Sequence, residues 1–130
     1  MHLITPTETE ARISTRNKED GLIIMADKLK NISDPKSIFL KLGENGLLIH
    51  TSIDNQTEWQ TDKINALNSL PKDVAGAGDS LLITSAMSMA CGSSIWEAAC
   101  LGSLAAAVQV GRLGNIPITK EEIISEILWM

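Results

Sequence analysis

The stretch Asp73-Val74-Ala75-Gly76-Ala77-Gly78-Asp79 decides the reading of this chain. It stands between a polar segment ending in Pro71-Lys72 and a run of apolar and small residues from Asp79 to Ala90. Glycines permit positive φ in a tight turn, and small side chains let the backbone approach a ligand closely. The run predicts a buried helix, so the amides of Gly76, Ala77, Gly78 and Asp79 become its first, unpaired donors. Such donors, aligned with the helix dipole, form an anion site suited to a phosphate. During phosphoryl transfer they can hold charge on the equatorial oxygens. A carboxylate beside a transferring phosphate is repelled by it, so the presence of Asp79 needs a reason. A hydroxyl nucleophile supplies one: Asp79 orients it and accepts its proton, and a loose transition state lets a modest base suffice. Read from the glycines and the aspartate alone, a plain helix N-cap accounts for the same residues equally well.

Outward from this motif the chain alternates strand and helix signals. Leu3-Ile4 reads as the end of a strand, closed by Thr5-Pro6, and Thr7-Glu8-Thr9-Glu10 as a helix start with acidic residues in its first turn. Residues 18–32 carry Leu22, Ile23, Ala26, Leu29 and Ile32 at helical spacing, and Asn31, Ser33, Asp34 and Pro35 end that helix. The apolar runs 37–42 and 47–50 flank Gly43-Glu44-Asn45-Gly46, which predicts a β-hairpin. Short edge strands are expected around 57–61 and 64–67. A second Ala-rich helix is expected over 95–112, after the break at Gly92-Ser93-Ser94. Thr119-Lys120-Glu121-Glu122 resembles a capping box, opening a last helix that runs to about Leu128. This pattern predicts an α/β fold, with the last helices covering the sheet.

Composition narrows the function. The 130 residues fit one domain, able to bury roughly two thirds of its unfolded surface. Hydrophobic residues make up 44% and charged residues 21%, a globular balance with a core that must be mainly aliphatic. The net charge is −5 with no Lys/Arg cluster, which argues against nucleic-acid binding. No run approaches the roughly 18 apolar residues of a membrane span, no basic or apolar leader is visible at the start, and Cys91 and Cys100 form no CxxC pattern. A cytoplasmic, reduced setting is the simplest expectation. There is no GK[ST] loop and no complete GxGxxG, which disfavours Walker-type and dinucleotide enzymes. His2 and His50 lack ligand spacing and read as structural or surface residues. Cys91 and Cys100 read as packed thiols, Met25, Met87 and Met89 as core filler, and Lys18-Glu19-Asp20 as a solvated helix start.

The motif resembles the second signature of the PfkB/ribokinase family of carbohydrate kinases. The resemblance implies a ribokinase-like three-layer α/β fold, with Asp79 as catalytic base and Gly76, Ala77 and Gly78 as amide donors of the anion hole. Residues 41–48, around Gly43 and Gly46, are similar to the family's G-x-x-G hairpin near the nucleotide phosphates. Residues 5–10 resemble its Pro-Asn-x-x-Glu segment, which makes Glu10 the residue that organises Mg²⁺ through water, although Thr7 replaces the Asn. Residues 98–119 resemble the helix and loop that close the adenine pocket, with Ser103 where many members carry an Asn near the nucleotide. Val110-Gly111-Arg112-Leu113-Gly114 is similar to the heptose-phosphate kinase (ADP-heptose synthase) branch. The family has small residues where this chain has Ile83-Thr84, a departure that bears on helix packing. The resemblance covers nearly the whole chain, 1–130, as the C-terminal half of a kinase roughly twice as long or more. The implied partners are ATP, a sugar or sugar phosphate and the absent N-terminal half, with a homodimer allowed and no nucleic acid or membrane. The implied activity is ATP-dependent phosphorylation of a sugar hydroxyl, heptose 7-phosphate being the specific expectation, with this part alone expected to be inactive. The rival expectation is a non-catalytic nucleotide-binding fragment or one half of a split kinase.

Overall fold

The computed structural model describes residues 2–52, 58–67, 76–110 and 117–128. They belong to two compact units, Met1–Asn65 and Ala66–Met130. The first unit contains β1 (Leu3–Ile4), α1 (Glu8–Thr15), α2 (Leu22–Ser33), β2 (Ser37–Lys41), β3 (Leu47–Ser52) and β4 (Trp59–Ile64). The strands form one sheet in the order β1-β2-β3-β4. β1 and β2 are parallel and are joined through α1 and α2, as a parallel pair requires a crossover. β2–β3 and β3–β4 are antiparallel, with Phe39 opposite Ile49 and His50 opposite Thr61.

β2 reads as an unbroken apolar run because it is buried along both faces. Its alternation places Ile38 and Leu40 on the face covered by the helices. There they pack with Ala11, Met25, Leu29 and Leu48. Each large aliphatic side chain buried in this way contributes roughly 1.5–3 kcal/mol. β4 is polar and mostly exposed, as suits a sheet edge that must not pair further. A single strand at 59–64 replaces the two edge strands expected around 57–61 and 64–67. Residues 53–57 lie outside the described residues.

α1 begins at a reciprocal cap: the Glu10 amide donates to Thr7 Oγ1 at 3.1 Å, and the Thr7 amide donates to Glu10 Oε2 at 2.9 Å. α2 starts at Leu22, after Gly21, later than its periodicity suggested. The cause is Asn17, whose Oδ1 accepts from the amides of Glu19 and Asp20 and holds residues 17–20 in an Asx-type turn. Lys18-Glu19-Asp20 is therefore a turn rather than a helix start.

The second unit contains α3 (Ala77–Ala90), α4 (Ile95–Val110) and α5 (Lys120–Leu128). α3 and α4 pack on each other, and Gly102 lies where the two helices meet closely. A Cβ there would stand 2.2 Å from Ser85 Oγ and 2.7 Å from Leu81 Cδ1. Ser85 is buried and its hydroxyl donates to the Ala98 carbonyl at 3.2 Å. Two capping boxes open the later helices. Ser94 and Glu97 exchange bonds at 3.1 Å before α4. Thr119 and Glu122 do the same before α5, as the sequence predicted.

Four expectations are corrected here. α3 is not wholly buried: only Leu81 and Ser85 are, because α4 covers a single face of it. Ile83 is exposed, so the departure at Ile83-Thr84 does not press on α4. Cys91 and Cys100 are both exposed free thiols, one at the C-cap of α3 and one on the outer side of α4, rather than packed ones. Met25 is core, but Met87 is exposed and fills nothing.

Candidate active site

In the first unit the candidate residues gather at one end of the sheet. β1 leads into the Thr7 cap of α1, and Thr7 forms an isolated parallel bridge with Lys41. The Lys41 amide donates to the Pro6 carbonyl at 2.8 Å. The start of α1, which bears Glu10, therefore lies beside the end of β2, and Gly43 follows two residues after Lys41. Both features stand at the carboxyl ends of parallel strands, where open α/β sheets bind ligands.

The turn between β2 and β3 explains its own glycines. Gly43 has φ +61°, and Gly46 has φ +94° with ψ −139°, a conformation that side-chain-bearing residues rarely adopt. The Leu42 amide donates to the Gly46 carbonyl at 2.8 Å and the Gly46 amide to the Gly43 carbonyl at 3.1 Å. Nothing lies within 4 Å of where a Gly43 Cβ would stand, so this backbone is open to a ligand.

Glu10 is exposed, with one carboxylate oxygen committed to the Thr7 amide. Among the described residues no group of three or more His, Cys, Asp or Glu could cage a metal ion. The second Glu10 carboxylate oxygen has no partner among the described residues and could accept from a water held on Mg²⁺.

In the second unit Gly76 caps α3 in the left-handed conformation, with φ +78° and ψ −5° and no side-chain cap. The Ser80 amide is the first to bond back, to the Gly76 carbonyl at 2.9 Å. The amides of Ala77, Gly78 and Asp79 thus precede the helical ladder and make no bond among the described residues. Asp79 occupies the third helical position and its side chain is exposed. Its own carboxylate does not fold back to cap the helix. Asp73, Val74 and Ala75 lie outside the described residues. Ser103 is half-buried on α4, next to Gly102.

Sequence reading missed a polar cluster around His50. Its ring is buried in the sheet, with Nδ1 2.7 Å from Thr61 Oγ1 and Nε2 3.1 Å from Asp27 Oδ1. Trp59 lies against the imidazole at 4.8 Å between ring centres. Lys30 Nζ sits 5.0 Å over the indole and 3.6 Å from Asp27. Burial holds the His50 pKa below the ordinary histidine value and Lys30 adds to this, while the Asp27 hydrogen bond pulls the other way. The three-residue spacing of Asp27 and Lys30 on α2 was the only local signal. Every polar atom of His50 has a partner, so the cluster pins α2 to β3 and β4 rather than forming a reactive centre.

A mixed sheet with crossover helices, a glycine turn at its carboxyl edge and a helix opened by Gly-Ala-Gly-Asp define a ribokinase-like α/β protein. The chain belongs to the pfkB family of carbohydrate kinases, whose family model matches residues 1–122. It is 30% identical over 128 residues to the bifunctional protein HldE of Geotalea uraniireducens, covering 96% of this chain and 25% of that protein. It is 29% identical over 126 residues to the D-beta-D-heptose 7-phosphate kinase of Bordetella bronchiseptica, covering 95% of this chain and 38% of that one. These relatives fall in the heptose-phosphate branch that the sequence resembles. The crystal structure of the Thermotoga maritima ribokinase superposes with a TM-score of 0.83 at 25% identity, over 98% of this chain and 42% of that protein. The chain thus spans between a quarter and about two fifths of the length of the proteins it matches. No described helix is long and apolar enough to cross a membrane.

Proposed function

We propose that this chain carries the nucleotide-binding and proton-accepting part of an ATP-dependent sugar kinase whose acceptor is a sugar phosphate of the heptose 7-phosphate type. The observation that carries the reading is the start of α3. A positive-φ glycine opens the helix, its first amides are free of helical bonds, and an exposed carboxylate stands one turn in. The amides of Gly76, Ala77 and Gly78 hold the transferring phosphoryl oxygens. Asp79 accepts the proton of the attacking hydroxyl. Gly43 and Gly46 give the nucleotide phosphates access to backbone, Ser103 faces the nucleoside, and Glu10 orients water on Mg²⁺. The metal supplies neutralisation of charge on the bridged phosphates. The acceptor-sugar site belongs to the portion of the fold that the longer relatives have beyond the matched segment.

Calorimetry with ADP–Mg²⁺ and ATP–Mg²⁺ tests the nucleotide half-site. Saturable binding is expected, and Gly78→Val should abolish it by blocking the amides. In a kinase assembled with the rest of the fold, Asp79→Asn should keep nucleotide affinity and lose roughly 10²–10⁴ in transfer rate. A normal rate for Asp79→Asn removes the base assignment. The short span of the chain favours a second reading, a nucleotide-binding part without turnover of its own. ADP binding without any phosphoryl transfer from the assembled protein would select it.

A further inference from the structure

One side of α4 carries a buried stripe of Ala98, Gly102, Ala105 and Gln109, spaced four, three and four residues apart. This side meets α3: the Ala98 carbonyl accepts from Ser85, and Gly102 lies against Leu81 and Ser85. The two helices run in opposite directions, so moving up α4 moves back along α3. Gln109 stands seven residues beyond Gly102, about 10 Å further along the axis, which brings it level with Gly76 and the opening of α3. It is 1% exposed, and among the described residues its Nε2 is the only buried side-chain nitrogen or oxygen without a hydrogen-bond partner. The other buried polar side chains are bonded: Ser37 with Thr51, His50 with Thr61 and Asp27, and Ser85 with Ala98. Burying an amide without a partner is unfavourable, and the small residues of the rest of the stripe pack without one. Gln109 therefore calls for a ligand group at the place where the first amides of α3 are also free of helical bonds.

We infer that Gln109 is a further phosphoryl-binding residue, whose Nε2 donates to the phosphoryl group held by the first amides of α3. The inference rests on the kinase reading above and adds to it a side-chain donor from a second helix. A phosphoryl oxygen is a charged acceptor, and a donor aimed at it in a buried setting is worth more than one in water. The extra donor also offsets repulsion between that group and the Asp79 carboxylate on the same turn of α3. A metal ion does not fit this atom, because an amide nitrogen has hydrogens to donate and no lone pair to give. The group assigned to the α3 amides is the one being transferred, which ATP has and ADP lacks. Gln109 therefore senses the terminal phosphoryl group and separates the two nucleotides.

Calorimetry on the 130-residue chain tests this, with ADP–Mg²⁺ and with the Mg²⁺ complex of the β,γ-imido analogue of ATP as probes. Gln109→Leu and Gln109→Met both remove the donor with little change of volume. Each should weaken binding of the analogue roughly tenfold or more, as loss of a hydrogen bond to a charged group does. Binding of ADP–Mg²⁺ should change little. The free variants should melt about 3–6 °C higher than the parent, because an unpartnered buried amide has been removed. In the isotope-labelled parent, the Gln109 side-chain amide signals are identified by their loss in either variant. They should move when the analogue is added and stay in place with ADP–Mg²⁺. Unchanged affinity for the analogue in both variants overturns the inference and leaves the amide as the partner of a buried water only. Equal losses for the two nucleotides overturn it as well, since a general loosening of the site acts on both alike. If Gln109→Leu does not fold, Gln109→Met and the amide signals of the parent decide. A parent that binds neither nucleotide removes the kinase reading and this inference with it, whereas analogue binding that ignores Gln109 removes this inference alone.

Discussion

Replacing Gly102 by alanine adds one methyl group at a close contact between α3 and α4. In an ordinary exposed helix this change stabilises by about 1 kcal/mol, because alanine is the better helix former. Here the new Cβ would lie 2.2 Å from Ser85 Oγ, 2.7 Å from Leu81 Cδ1 and 3.0 Å from the Leu81 carbonyl oxygen. The Ser85 hydroxyl can rotate away only by giving up its bond to the Ala98 carbonyl, and the Leu81 carbonyl is backbone and cannot yield cheaply. Overpacking of this kind costs about 1–3 kcal/mol, and a lost buried hydrogen bond about 0.5–1.5 kcal/mol more. These terms exceed the propensity gain, so Gly102→Ala should lose about 1–3 kcal/mol in all. Urea denaturation followed by far-ultraviolet circular dichroism reads this as a midpoint lower by roughly 1 M for a typical slope. A double cycle with Ser85→Ala sharpens the test. Removing the hydroxyl takes away the nearest clash but not the Leu81 contacts, so the double variant should be more stable than the two single losses added together. A Gly102→Ala chain as stable as the parent, or more so, would refute the close approach of the two helices at this point.

Two further outcomes follow from the first unit. His50 is held neutral mainly by burial, so its folded pKa lies below its unfolded value and protonation favours the unfolded chain. Its stability contribution is therefore present above about pH 6.5, is lost as pH falls below that value, and levels off at the folded pKa. The groups that face it are Asp27 and Lys30 from α2 and Thr61 from β4. The difference in melting temperature between the parent and His50→Gln should shrink as pH is lowered, and a difference that grows instead would mean that attraction to Asp27 outweighs burial. At the β2–β3 turn, Gly46→Ala should cost about 1–3 kcal/mol by forcing a side-chain-bearing residue into a glycine conformation. It should also weaken ADP–Mg²⁺ binding, and calorimetry showing unchanged affinity would detach this turn from the nucleotide site.

What the sequence by itself determined is what depends on neighbours a few residues away. Gly43 and Gly46 marked the hairpin because the required φ angles are local. Thr7–Glu10 and Thr119–Glu122 marked helix starts because a capping box spans three residues. Gly76-Ala77-Gly78-Asp79 marked the opening of α3, and with it the family, because a positive-φ glycine start is a local feature and the motif matches the family's signature. The α2 start at Leu22 was misplaced because Asn17 captures backbone amides that the hydrophobic period does not register. Tertiary structure alone decided the rest. Burial of His50 depends on Asp27 and Thr61, 23 and 11 residues away, meeting across a helix and a strand. Gly102 matters only because α4 approaches α3 there. The outer face of α3 has the same apolar character as its inner face, so no period separates them, and only packing against α4 determines which side is buried.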